Sequence, residues 1–152
     1  MKPTLPPIDE LLPALLEWCL EMERHVQSAG VPLHPIQLAD AKVVGVKHPE
    51  RIRLLMVDRM PHPEALQDWV DWIYFDGAPA ICLGYSVLLE RSHWNNRRTR
   101  AHEMAHTMQF EKLGGIEPFL RTWLTEVTTE GYFNSPMEQE ANQMALRVPA
   151  RY

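Results

Sequence analysis

His102 and His106 stand four residues apart in the run His102-Glu103-Met104-Ala105-His106. No other feature of the chain constrains its fold as strongly. On a helix, residues four apart share a face with their Cβ atoms about 5–6 Å from each other, so two imidazoles can converge on one point. The surrounding segment supports a helix independently. Ala101, Met104, Ala105 and Met108 supply an apolar face, and Gly114-Gly115 is a strong stop, which predicts a helix over 99–113. Small residues at 101 and 105 allow that helix to pack closely while its histidines face a cleft.

Two convergent imidazoles suit a metal ion. Zn2+ takes such nitrogens at about 2.0–2.1 Å, and a catalytic site adds a third protein ligand and keeps a fourth position open. Glu103 points beside the metal, where a base can take a proton from zinc-bound water. No histidine follows His106, so the third ligand is a carboxylate or an earlier histidine such as His93. Glu138 and Glu140 open an expected helix over 135–147. They lie about 200° apart on it, so only one can face the histidines. Ser135 and Glu138 also read as a capping box, a role that needs no metal.

Upstream, Ile8, Leu11, Leu12, Leu15, Leu16, Cys19, Leu20 and Val26 predict an amphipathic helix over 8–29, stopped by Gly30. Pro32 and Pro35 mark a connection. The stretch 42–58 reads as extended, with Val43, Val44 and Val46 in one apolar run and 52–57 in another. Trp69, Val70, Trp72 and Ile73 predict a helical turn or two. A further strand is expected over 79–90, with Gly84 at a bulge. After the metal-bearing helix come helices over 116–127 and 135–147. The expected architecture is α+β in one domain over 1–152: an N-terminal helix, a sheet of about three strands, the metal-bearing helix and two C-terminal helices. The 79–90 strand would wall a cleft and offer an edge to an extended peptide.

Bulk properties narrow the function classes. A chain of 152 residues with 45% hydrophobic and 23% charged residues suits a globular domain. Its net charge of -5 gives no reason to expect nucleic acid. No run approaches the roughly 20 apolar residues that cross a bilayer. No apolar segment follows Lys2, so a cytoplasmic protein is expected. Cys19 and Cys82 are expected as two buried thiols.

The two motifs together resemble the gluzincin arrangement, in which H-E-x-x-H is followed on a later helix by E-x-x-A-[DN]. Glu138, Ala141 and Asn142 match that second pattern. The resemblance implies Glu138 as the third zinc ligand and Asn142 as the residue that orients a motif histidine. The run from 97 to 145 is also similar to small bacterial zincin-like domains. Gln109, Gly114, Gly115, Gly131, Tyr132, Pro136, Glu138, Glu140 and Ala141 carry that likeness.

The function expected is therefore a zinc metallopeptidase acting on a peptide or protein substrate. Glu103 would be its catalytic base and His102, His106 and Glu138 its metal ligands. A partner protein completing or regulating the site fits so small a chain. The alternative is a catalytically silent zincin-like domain that binds metal or a protein. A di-iron reading of Glu90-x-x-His93 with Glu103-x-x-His106 ranks below these, because Glu90 ends an expected strand and twelve residues cannot hold a reversal between long helices; metal identity separates it. Tyr132 is a candidate for oxyanion stabilisation by type, and a core role is the simpler reading. Arg91, Arg97, Arg98 and Arg100 read as a solvated face. Trp18, Trp69, Trp72, Trp94 and Trp123 read as core or cleft wall.

Overall fold

The computed structural model describes residues 6–69 and 78–151. Among them are five α-helices and four strands: α1 (Ile8–Ala29), β1 (Val31–Pro32), α2 (Pro35–Val43), β2 (Arg53–Val57), β3 (Ala80–Leu83), β4 (Ser86–Glu90), α3 (Arg97–Leu113), α4 (Ile116–Glu130) and α5 (Pro136–Ala145). The sheet is mixed, in the order β1-β2-β4-β3. β2 runs parallel to β4, and the outer pairs are antiparallel.

The α+β reading holds, but the sheet has four strands where about three were expected. The expected 79–90 strand is a hairpin. Gly84 sits at φ +69 in the turn between β3 and β4, a conformation that suits glycine, and not at a bulge. Apolar residues on both sides of the turn hid the break. β1 is only two residues long, and its proline is tolerated because it lies on a sheet edge.

The 42–46 run is not a strand. Pro35 opens α2 at its first position, with His34 and Gln37 forming a capping box before it. Lys42 and Val43 close that helix, and Val44 and Val46 are buried beyond it. A short apolar run has no period to tell strand from buried turn. In the 61–76 segment the described part is a 3-10 helix, Glu64–Trp69. Val70, Trp72 and Ile73 lie outside the described residues.

The strand alternation divides the core. Leu88 and Leu83 face α1 and α4, where Leu11, Leu12, Leu15, Phe119, Leu120 and Leu124 are buried. Leu54, Ala80, Cys82, Val87 and Leu89 face the other way, onto Ala101, Met104, Ala105 and Met108 of α3. Small residues on both sides of that contact let α3 lie close to β3. Thr107 then donates to the Gly84 carbonyl at 2.8 Å and pins the helix to the hairpin.

Arg91 and the arginines in the first turn of α3 do more than face solvent. Arg97 grips Asp40 of α2 through two bonds of 2.8 Å, with both side chains largely buried. Arg100 is buried and donates to the Trp94 carbonyl, and Arg98 reaches the Val148 carbonyl. Arg91 and Arg98 are exposed as expected, and Arg91 pairs with Asp58. The charges that oppose the α3 dipole are thus offset by an acid and by carbonyls. No helix among the described residues is long and apolar enough to cross a membrane.

Candidate metal centre

α3 carries His102, Glu103 and His106 on consecutive turns, beginning at an Asn96 cap that accepts from the Thr99 amide at 3.0 Å. α5 brings the third donor. Ser135 caps α5 by accepting from the Glu138 amide at 3.3 Å, so half of the capping box forms. The Glu138 side chain does not return to the cap. It turns inward and is 2% exposed. Its Oε1 lies 3.0 Å from His102 Nε2, and its Oε2 lies 3.1 Å from His106 Nε2.

The two Nε2 atoms are 3.2 Å apart. Bonds of about 2.0–2.1 Å at tetrahedral angles place neighbouring donors about 3.3 Å apart, so the imidazole pair already has the spacing of a metal site. Taking one ligand atom from each residue, the three lie within 4.8 Å of one another. This cluster of two imidazoles and a carboxylate could hold a metal ion.

Glu140 and His93, the alternative third ligands, are not in the cluster. Glu140 is exposed on α5, and His93 pairs with its neighbour Ser92 at 3.0 Å. Among the described residues no hydrogen bond joins Asn142 to a histidine. Burial on α5 falls on Met137, Glu138, Ala141 and Ala145, and Asn142 lies outside that stripe, exposed.

Gln109 takes the orienting role. Its Nε2 donates to the Met137 carbonyl and to Glu140 Oε1, both at 2.9 Å. Two acceptors on one side fix the amide, so Oε1 must face His106 Nδ1, 2.7 Å away. Nδ1 therefore carries the proton and donates, which leaves Nε2 for a metal. The signal for the role of Gln109 was its position one turn beyond His106 on the same face.

Charge is arranged to match. Burial works against a charged His106, yet the Glu138 carboxylate outweighs it and raises the imidazole to about 9. Burial likewise opposes the charged form of Glu138, but hydrogen bonds from His102 and His106 hold its carboxyl well below the usual range. Glu103 is buried, and its pKa is raised by that burial, with the histidines opposing. Among the described residues no side chain hydrogen-bonds Glu103.

A cavity of about 70 Å³ opens beside the cluster. Glu103, His106 and Glu138 stand on its wall, facing Ala80 and Leu83 of β3 and Phe119, Leu120 and Trp123 of α4. That volume admits several waters. Tyr132 lines it too, half-buried and edge-on to Phe133.

Two predictions arise here. Gln109→Ala is expected to weaken binding of a divalent metal about 10–100-fold, as loss of an outer-shell partner usually does. Competition with a chromogenic chelator measures this, and an unchanged affinity would remove Gln109 from the site. The second concerns pH. Below about 9 His106 is protonated in the metal-free protein, and a metal can enter only as that proton leaves. Adding Zn2+ in weak buffer at pH 7 should therefore release about one proton per ion bound. Affinity should rise as pH is raised toward 9. Binding without proton release would contradict the charge assignment.

No protein-family model, curated protein or solved structure matches the chain.

Proposed function

We propose that this chain is a zinc-dependent metallopeptidase with a zincin-like site, held by His102, His106 and Glu138 and served by Glu103 as base. The observation that carries the reading is the convergence of three donors beside a buried carboxylate, Glu103, that has no hydrogen bond among the described residues. Two imidazoles and one carboxylate, with a fourth position left open, are a donor set suited to catalytic zinc. Zinc bound there would act as a Lewis acid and supply a water-derived nucleophile at neutral pH. Glu103, on the cavity wall next to His102, is placed to accept a proton from a water held there and would return it to the leaving amine. A site that only stored metal would have no use for a buried base at that position.

The substrate proposed is an extended stretch of peptide or protein. β3 is the last strand of the sheet and pairs only with β4 among the described residues. Ala80, Ile81, Cys82 and Leu83 of β3 line the cavity with Glu103, so a peptide added along β3 would bring its backbone past Glu103. The free buried thiols Cys19 and Cys82 suit a cytoplasmic setting.

Incubating zinc-loaded protein with a mixed peptide library tests the reading. New amine termini, read by mass spectrometry and absent with Glu103→Gln, are the expected result. Zinc-loaded protein that cleaves nothing in such a library would favour the catalytically silent alternative.

A further inference from the structure

We propose that Trp123 is a positioning residue that keeps Glu138 on the metal through one oxygen, and so keeps the fourth position open. The inference rests on the metal-centre reading above. It starts from an asymmetry in the Glu138 carboxylate. Among the described residues Oε1 meets His102, whereas Oε2 meets both His106 and the indole of Trp123, whose Nε1 donates to it at 2.9 Å. Trp123 comes from α4 and stands on the cavity wall, an element that supplies no ligand atom.

These bonds differ in what a metal does to them. A ligating imidazole turns its Nε2 lone pair to the ion, so neither histidine can also donate from Nε2 to Glu138 once an ion is bound. The indole N–H is a donor only and has no lone pair to offer a metal. Its bond to Oε2 is thus the one described bond to that carboxylate which survives loading. Glu138 is almost wholly buried, so water does not replace a lost donor at low cost. With Oε2 tied back to Trp123, Oε1 is the atom left for the ion.

The consequence is for coordination number. An untied carboxylate can chelate through both oxygens and fill the place that water needs. A tied one contributes a single bond. Four-coordinate sites with three protein ligands have room for a reacting water, and a chelating glutamate would make that room scarce. The tryptophan expected as cleft wall would therefore set how the ligand beside it binds.

Cobalt substitution tests this without any turnover. Co2+ has intense visible bands in a tetrahedral site and much weaker ones when five-coordinate. The wild-type protein, loaded with Co2+, is expected to show the intense bands. Trp123→Phe removes the N–H and is expected to lose most of that intensity while keeping about one ion bound per chain. Because Phe is smaller and the variant can fail to fold, the second arm places β-(3-benzothienyl)alanine at position 123. That side chain keeps the two-ring shape and replaces N–H with sulfur. Loss of intensity in the benzothienyl protein supports the proposal even if Trp123→Phe does not fold. An unchanged spectrum there overturns it and leaves the metal centre intact. Failure of the wild-type protein to take up Co2+ overturns the metal centre, and this proposal with it.

Discussion

Glu103→Gln is expected to keep its metal and lose its activity, with kcat falling ~10²–10⁴-fold, the range supplied by a positioned base. The side chain is nearly isosteric, so the cavity wall and the contact of α3 with the sheet stay as they are. The amide cannot accept a proton at neutral pH. Glu103 has burial but no hydrogen-bonded partner among the described residues, so the change breaks no described network. Burial of a carboxylate costs free energy, and replacing it with a neutral amide should leave the fold as stable or more so. Peptide cleavage measured at saturating substrate, beside metal content and thermal melting, separates these effects. Equal kcat in the two proteins would take the proton-transfer role away from Glu103.

His106→Ala and Glu138→Gln carry the second large effect. Each removes a donor from a set of three, and the expected loss of zinc affinity exceeds roughly 100-fold, the upper end for outer-shell changes. The change should be visible in stability as well. Zinc at about 100 times its Kd adds ~2.7 kcal/mol to the wild-type fold by mass action. That increment, read as a metal-dependent rise in Tm, should vanish in both variants at the same zinc concentration. The metal-free baselines must be compared separately, because removing His106 also strips a partner from the buried Glu138 carboxylate. Asn142→Ala supplies the contrast. Asn142 is exposed and outside the buried stripe of α5, so its loss should leave zinc affinity unchanged. A drop in affinity on losing Asn142, with Gln109→Ala silent, would reverse the roles assigned to the two residues.

The helices were readable because they are long and periodic. α1 spans the residues its apolar spacing predicted, and α3 stops at Gly114 and α5 starts at Ser135 as expected. But α3 begins at Arg97 behind an Asn96 cap and not at 99, α4 runs on to Glu130 past the expected 127, and α5 ends at Ala145 short of the expected 147. The sheet was less readable. β1 has two residues and β3 four, too few for alternation to stand out, and the Gly84 turn is flanked by apolar residues on both sides. α2 was hidden by Pro35, which reads as a break although it occupies the first helical position.

The donor cluster shows a similar division. His102 and His106 were legible from local spacing, since a helix fixes where residues four apart point. Glu138 was legible only with the likeness between motifs, because its own segment reads equally well as a capping box. In the structure its amide serves the cap and its side chain serves the cluster. The partners of those donors were not legible. Gln109 reaches across to Met137 and Glu140 of α5, and Trp123 reaches Glu138 from α4. Such contacts depend on how three helices dock, which spacing along one helix does not specify.

Metal content is the most direct test of the central claim. Protein purified without added metal, then analysed by inductively coupled plasma mass spectrometry, should hold about one zinc per chain, in keeping with one set of three protein ligands. Protein that holds no zinc, and takes up none on dialysis against it, would contradict the account and leave His102, His106 and Glu138 as a buried ion-pair cluster.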